Sequence, residues 1–123
     1  MARLAVKPES MSSAPNKSQA RRGTRISCEI PIILTSLDSA HSFSEAGLTI
    51  LVNPQGCAAR FHRPLETGTG VRLEGLPAGT SVTARVVNCI PIGDYEKFWL
   101  LGLALDEPGN IWGIQSPPED WTL

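Results

Sequence analysis

From residue 25 onward, hydrophobic and polar positions alternate along most of the chain with a period of two. Ile26, Cys28, Ile30, Ile32 and Leu34 share one parity while Arg25, Ser27 and Glu29 take the other, which predicts a half-buried strand over 25–34. Pro31 lies on the outward parity, where a missing N–H is tolerated at an edge or bulge. Ala46, Leu48, Ile50 and Val52 oppose Glu45, Gly47 and Thr49 in a second strand over 43–52. The turn residues Asn53-Pro54-Gln55-Gly56 break it, and Cys57, Ala59 and Phe61 line one face of a third strand, its antiparallel neighbour.

Gly68-Thr69-Gly70 predicts a hairpin turn before a short fourth strand, Val71–Glu74. Val82, Ala84, Val86 and Ile90 share a parity in a fifth strand over 81–92, and Cys89 fits either face. Lys97–Leu105 is apolar on both parities, so the sixth strand is expected to be covered on both faces, the second cover coming from another segment. Six short strands and almost no helical period predict an all-β fold, a six-stranded antiparallel barrel. Its expected core includes Ile26, Ile30, Leu48, Ile50, Val82, Val86, Leu101 and Leu103.

Composition sets the limits of this unit. At 123 residues the chain makes one domain, and 41% hydrophobic content is enough to fold it. Residues 1–18, rich in Ser, Pro, Ala and Lys, read as a flexible leader, 19–106 as the barrel, and 107–123 as a tail packing on it. Pro108, Gly109, Pro117 and Pro118 exclude a long helix from the tail; one helical turn fits near Asn110–Ile114, with Trp112, Ile114 and Trp121 plugging or flapping over the sheet from outside. There is no apolar run of membrane-spanning length and no signal-peptide h-region, so the expected location is cytoplasmic, with no membrane span.

Charge and reactive residues narrow the function. The net charge of −1 conceals a basic arm before an acidic body: residues 1–25 hold six bases against one acid, residues 26–123 five bases against eleven acids. With 6% aromatic residues, the acidic body argues against nucleic acid as a partner. Cys28, Cys57 and Cys89 are dispersed, away from His41 and His62, so free thiols are expected rather than a metal site or disulfide. No nucleophile–base set or metal-ligand spacing is present, and the protein reads as a non-enzyme with no cofactor. What stands out is Arg21 and Arg25, spaced R-x-x-x-R beside Arg22 just before the first strand. Guanidinium groups bind phosphate oxygens bidentately and stack on purines, which suits a nucleotide ligand.

The order of these features resembles the PilZ domain family over residues 19–106: R-R-G-T-R opening the first strand, L-V-N-P-Q-G-C-A joining the second to the third, and F-W-L-L-G-L-A-L late in the chain. The resemblance implies a six-stranded barrel that binds the bacterial second messenger cyclic di-GMP and signals to a partner protein, here unknown. It assigns Arg21 and Arg25 to phosphates and guanines, with Arg22 beside them. The family's second motif, Asp/Asn-x-Ser-x-x-Gly, departs here: with its glycine on Gly56, Asn53 stands for serine and Leu51 for the acid or amide; set instead on Asn53, it puts Ala58 in place of the glycine. The implied ligand-binding set is Arg21, Arg22, Arg25, Asn53 and Gly56. The other reading is a degenerate PilZ-like barrel that binds no nucleotide and acts through protein contacts.

Overall fold

The computed structural model describes residues 23–121, all β apart from two single 3-10 turns. Seven strands follow in order: β1 (Ile26–Ser27), β2 (Pro31–Ser36), β3 (Ser44–Asn53), β4 (Gly56–Phe61), β5 (Gly70–Glu74), β6 (Val82–Ile92) and β7 (Phe98–Leu105). β3, β2, β5, β6, β7 and β4 are neighbours in that order, and β3 pairs β4, so six antiparallel strands close a barrel. The extra strand, β1, pairs the second half of β3 through Ile26↔Val52 and Ser27↔Leu51. The strand expected over 25–34 is thus split at Cys28–Ile30, and its second piece continues to Ser36.

Ile32, Leu34, Val52, Ala59, Phe61, Val71, Leu73, Val86, Leu101 and Leu103 fill the interior. Of the expected core, Val86, Leu101 and Leu103 are buried, and Ile26, Ile30 and Val82 pack partly against the cluster. Leu48 and Ile50 do not join it, which corrects the sequence reading. The cause is a β-bulge: Thr49 pairs Ala59 and Leu51 pairs Ala58, leaving Ile50 extra and reversing parity along β3. Thr49, on the parity read as outward, is therefore fully buried, while beyond the bulge the read parity holds, with Val52 buried and Leu51 on the outer face. β6 carries a matching irregularity between Val86 and Asn88, after which Cys89 pairs Leu101 and faces the core.

The tail closes one end of the barrel. Trp112 is 2% exposed within the core cluster rather than outside the sheet, and its Nε1 donates to the Asn53 carbonyl at 2.8 Å. Residues 110–114 form a turn, not a helical turn, bracketed by Asn110 Nδ2 donating to the Ile114 carbonyl at 2.9 Å. The Gly68 region is likewise a turn within the β4–β5 connection, since those two strands do not pair and no hairpin forms. Cys28, Cys57 and Cys89 are free, and burial pushes the Cys57 thiol up to about 12. Among the described residues no helix is long and apolar enough to cross a membrane.

Candidate functional site

The outer face of β3, β4, β7 and β6 forms an open groove of about 920 Å³, within the size range of small-ligand sites. Its floor is built by register. Leu51 pairs Ala58, Ala58 pairs Gly102, and Gly102 pairs Asn88, so these four residues cross the groove in one row. Ile90 and Leu100, paired in the next row, add an apolar wall. The outward residues of β7 thus line a groove instead of lying under another segment, which corrects the expectation that both faces are covered. Ala58 keeps the row low, and Gly102 leaves room for the Asn88 side chain to fold across it. At Gly102 a side chain would collide with the Asn88 amide, which lies over it.

One wall is the root of the N-terminal arm. Gly23, Thr24 and Arg25 line it beside the β3–β4 turn. A Cβ on Gly23 would stand 2.7 Å from Pro54 Cδ, so the arm lies directly on the turn. Asn53 holds both together: its Nδ2 donates to the Gly23 carbonyl at 3.1 Å, and its Oδ1 accepts from the Gln55 and Gly56 amides at 3.0 Å each. Gly56 permits the turn to press on β7, because a Cβ there would overlap the Leu103 carbonyl oxygen. Gln55 Oε1 is buried in this junction with no hydrogen-bond partner among the described residues.

Arg25 is the groove's one cation and Asp120 its one carboxylate among the described residues. Asp120 accepts from the Thr24 amide at 3.0 Å and from the Thr24 hydroxyl at 2.8 Å. These bonds, the amide first, hold its carboxyl below the usual aspartate value. The structure therefore brings Arg25, Asn53 and Gly56 together at one end of the groove. Arg21 and Arg22 lie outside the described residues.

Thr24, Asn88 and Asp120 were not singled out from the sequence. Asn88 carried one usable signal, a polar residue where the alternation of β6 breaks. Asp120 carried none, since it reaches Thr24 across 96 positions. The histidines serve local contacts away from the groove: His41 Nδ1 lies 3.2 Å from Asp38, and His62 Nε2 lies 3.2 Å from Glu45, which also accepts from Arg63 Nε at 2.7 Å. No group of three or more His, Cys, Asp or Glu among the described residues could hold a metal ion.

Compared with protein-family models, curated proteins and solved structures, the chain matches none.

Proposed function

We propose that this protein is a non-catalytic, PilZ-like bacterial receptor that binds cyclic di-GMP in the groove and passes the signal to a partner protein in the cytoplasm. The observation that carries the reading is Arg25, set on a groove whose floor is apolar at Leu51 and low at Ala58. A flat purine ring loses little by leaving water for such a floor, and a guanidinium at its edge meets phosphate or stacks on the base. The amide of Asn88 adds a donor and an acceptor within reach of the same floor. Arg21 and Arg22 belong to the same R-R-G-T-R run as Arg25 and would add guanidinium groups to the same ligand.

A second reading has its own support. Asn53 is engaged in holding the turn and arm together, and Leu51 presents only hydrocarbon to the groove. Both facts fit a barrel that has lost nucleotide binding and acts through protein contacts alone.

Calorimetric titration with cyclic di-GMP separates the two. The receptor reading expects saturable binding that falls roughly 10- to 150-fold in Arg25→Ala, the worth of a charge-assisted hydrogen bond. Absence of saturable binding at high micromolar ligand would leave only the protein-contact reading.

A further inference from the structure

The last described residues close onto the arm at one point, Thr24, and engage every polar group it has. Its amide donates to both Asp120 oxygens, at 3.1 and 3.0 Å, and its hydroxyl donates to Oδ2 at 2.8 Å. Its carbonyl accepts from Trp121 Nε1 at 2.7 Å. Trp121 is itself seated: its ring packs against the core cluster, and its amide donates to the Pro118 carbonyl at 3.0 Å. On the opposite side, the Gly23 carbonyl accepts from Asn53 Nδ2. Arg25 is thus flanked by Thr24, held by the tail, and by Ile26, the first residue of β1, held by β3.

We propose that Asp120 and Trp121 are positioning residues: a C-terminal clasp that fixes the root of the arm and so sets the affinity of the groove for an anionic nucleotide. The inference rests on the receptor reading above. Its physical basis is preorganisation. With the clasp closed, the backbone on both sides of Arg25 is already ordered; with it open, that ordering must accompany binding and weakens it. By reciprocity, ligand in the groove holds the clasp closed. Asp120 makes the argument testable by sign, because a carboxylate in an anion site opposes the ligand's charge. Removing it should tighten binding if its charge dominates and weaken binding if its grip on Thr24 does.

The test pairs amide hydrogen exchange with calorimetry, using cyclic di-GMP at fixed salt, on the wild type, Asp120→Ala, Asp120→Asn and Trp121→Phe. In the free protein, Asp120→Ala should speed exchange at Thr24 and Arg25 and leave β5, β6 and β7 unchanged. Its affinity should fall about 10-fold in spite of the lost negative charge. Trp121→Phe, which keeps an aromatic ring and changes no charge, should weaken binding in the same direction. Asp120→Asn, which keeps an acceptor for Thr24, should recover most of both losses. Unchanged exchange at Thr24 in Asp120→Ala, or equal or tighter binding by that variant, would overturn the clasp. If the wild type does not bind the nucleotide at all, the receptor reading fails and the clasp's role in affinity fails with it, an outcome distinct from variants that bind as the wild type does.

Discussion

Thr49 and Ile30 meet where the first strand is interrupted, and the hydroxyl of one replaces a missing rung of the other's ladder. Thr49 Oγ1 accepts from the Ile30 amide at 2.8 Å and donates to the Cys28 carbonyl at 2.6 Å. It is the one polar residue buried as a whole among the described residues, and both its partners are backbone groups that the gap between β1 and β2 would otherwise strand.

Thr49→Val keeps the shape and removes the hydroxyl, leaving an N–H and a C=O without a partner. The expected loss is about 2–4 kcal/mol of unfolding free energy, more than either hydrogen bond alone contributes, because two unpaired groups stay buried. Thr49→Ser, which keeps the hydroxyl, should lose less than half of that. Urea denaturation of the two variants checks the difference, and equal losses would mean that the methyl, not the hydroxyl, matters.

The same region shows how far the sequence could be read. Alternation located most strands of the barrel because each buries one face, and it identified Val86 correctly. It failed for Leu48 and Ile50 because a bulge inserts one residue without changing the local composition: Ile50 is as apolar as its neighbours, and Thr49 looks like a solvent-facing threonine. Cys89 was ambiguous for the same reason, resolved only by its pairing with Leu101 after the second bulge. At the candidate site, Arg25, Asn53 and Gly56 were visible because they sit in short local patterns. The groove floor was not, since Leu51, Ala58, Gly102 and Asn88 become neighbours only through the closure of the barrel.

Gly56 should tolerate no side chain. A Cβ would enter the space of the Leu103 carbonyl oxygen and approach Ala104 Cα to 3.2 Å, and the backbone of β7 cannot yield as a flexible side chain would. Gly56→Ala is expected to lose at least about 3 kcal/mol, at the upper end of overpacking effects. By contrast Gly79→Ala, with open space around its Cβ and a positive φ of 76°, carries only a local backbone penalty of about 1–2 kcal/mol. Thermal unfolding of the pair should rank them in that order.

The clasp on Thr24 should be insensitive to pH through the neutral range and weaken only in acid. Asp120's carboxyl is held below the ordinary aspartate value of 3.8, first by the Thr24 amide and then by its hydroxyl. A depressed folded-state value means that the charged form is the one favoured by the fold. Its contribution is therefore complete above the unfolded value and lost as pH falls through the folded one. The Thr24 amide resonance should hold constant from pH 7 to about 5 and move only below about 4, and Asp120→Asn should abolish that movement. A Thr24 titration centred near pH 6 would assign the shift to another group.

Leu51 decides whether the groove is a weakened nucleotide site or only an apolar surface. It lies on the outer face, paired with Ser27 on one side and Ala58 on the other, and it lines the groove where the proposed PilZ-like reading would need an acid or amide. Because it is only half-buried and outside the core cluster, Leu51→Asp should leave the fold intact. The new carboxylate can accept from the N–H donors of a guanine edge, and a contact of that kind strengthens binding by roughly 10-fold or more. Opposing it is the repulsion between the added charge and the ligand's phosphates, which is weaker at an open, hydrated rim than the directed bonds. Asn53→Ala should act in the other direction, since it releases the Gly23 carbonyl and with it the arm beside Arg25. Titration of the wild type and both variants at one salt concentration gives three distinguishable results. Tighter binding by Leu51→Asp and weaker by Asn53→Ala is expected of a receptor limited by the missing contact. Binding by Leu51→Asp alone marks a barrel that has lost its site, and binding by none leaves Arg25 as a surface charge beside an apolar groove.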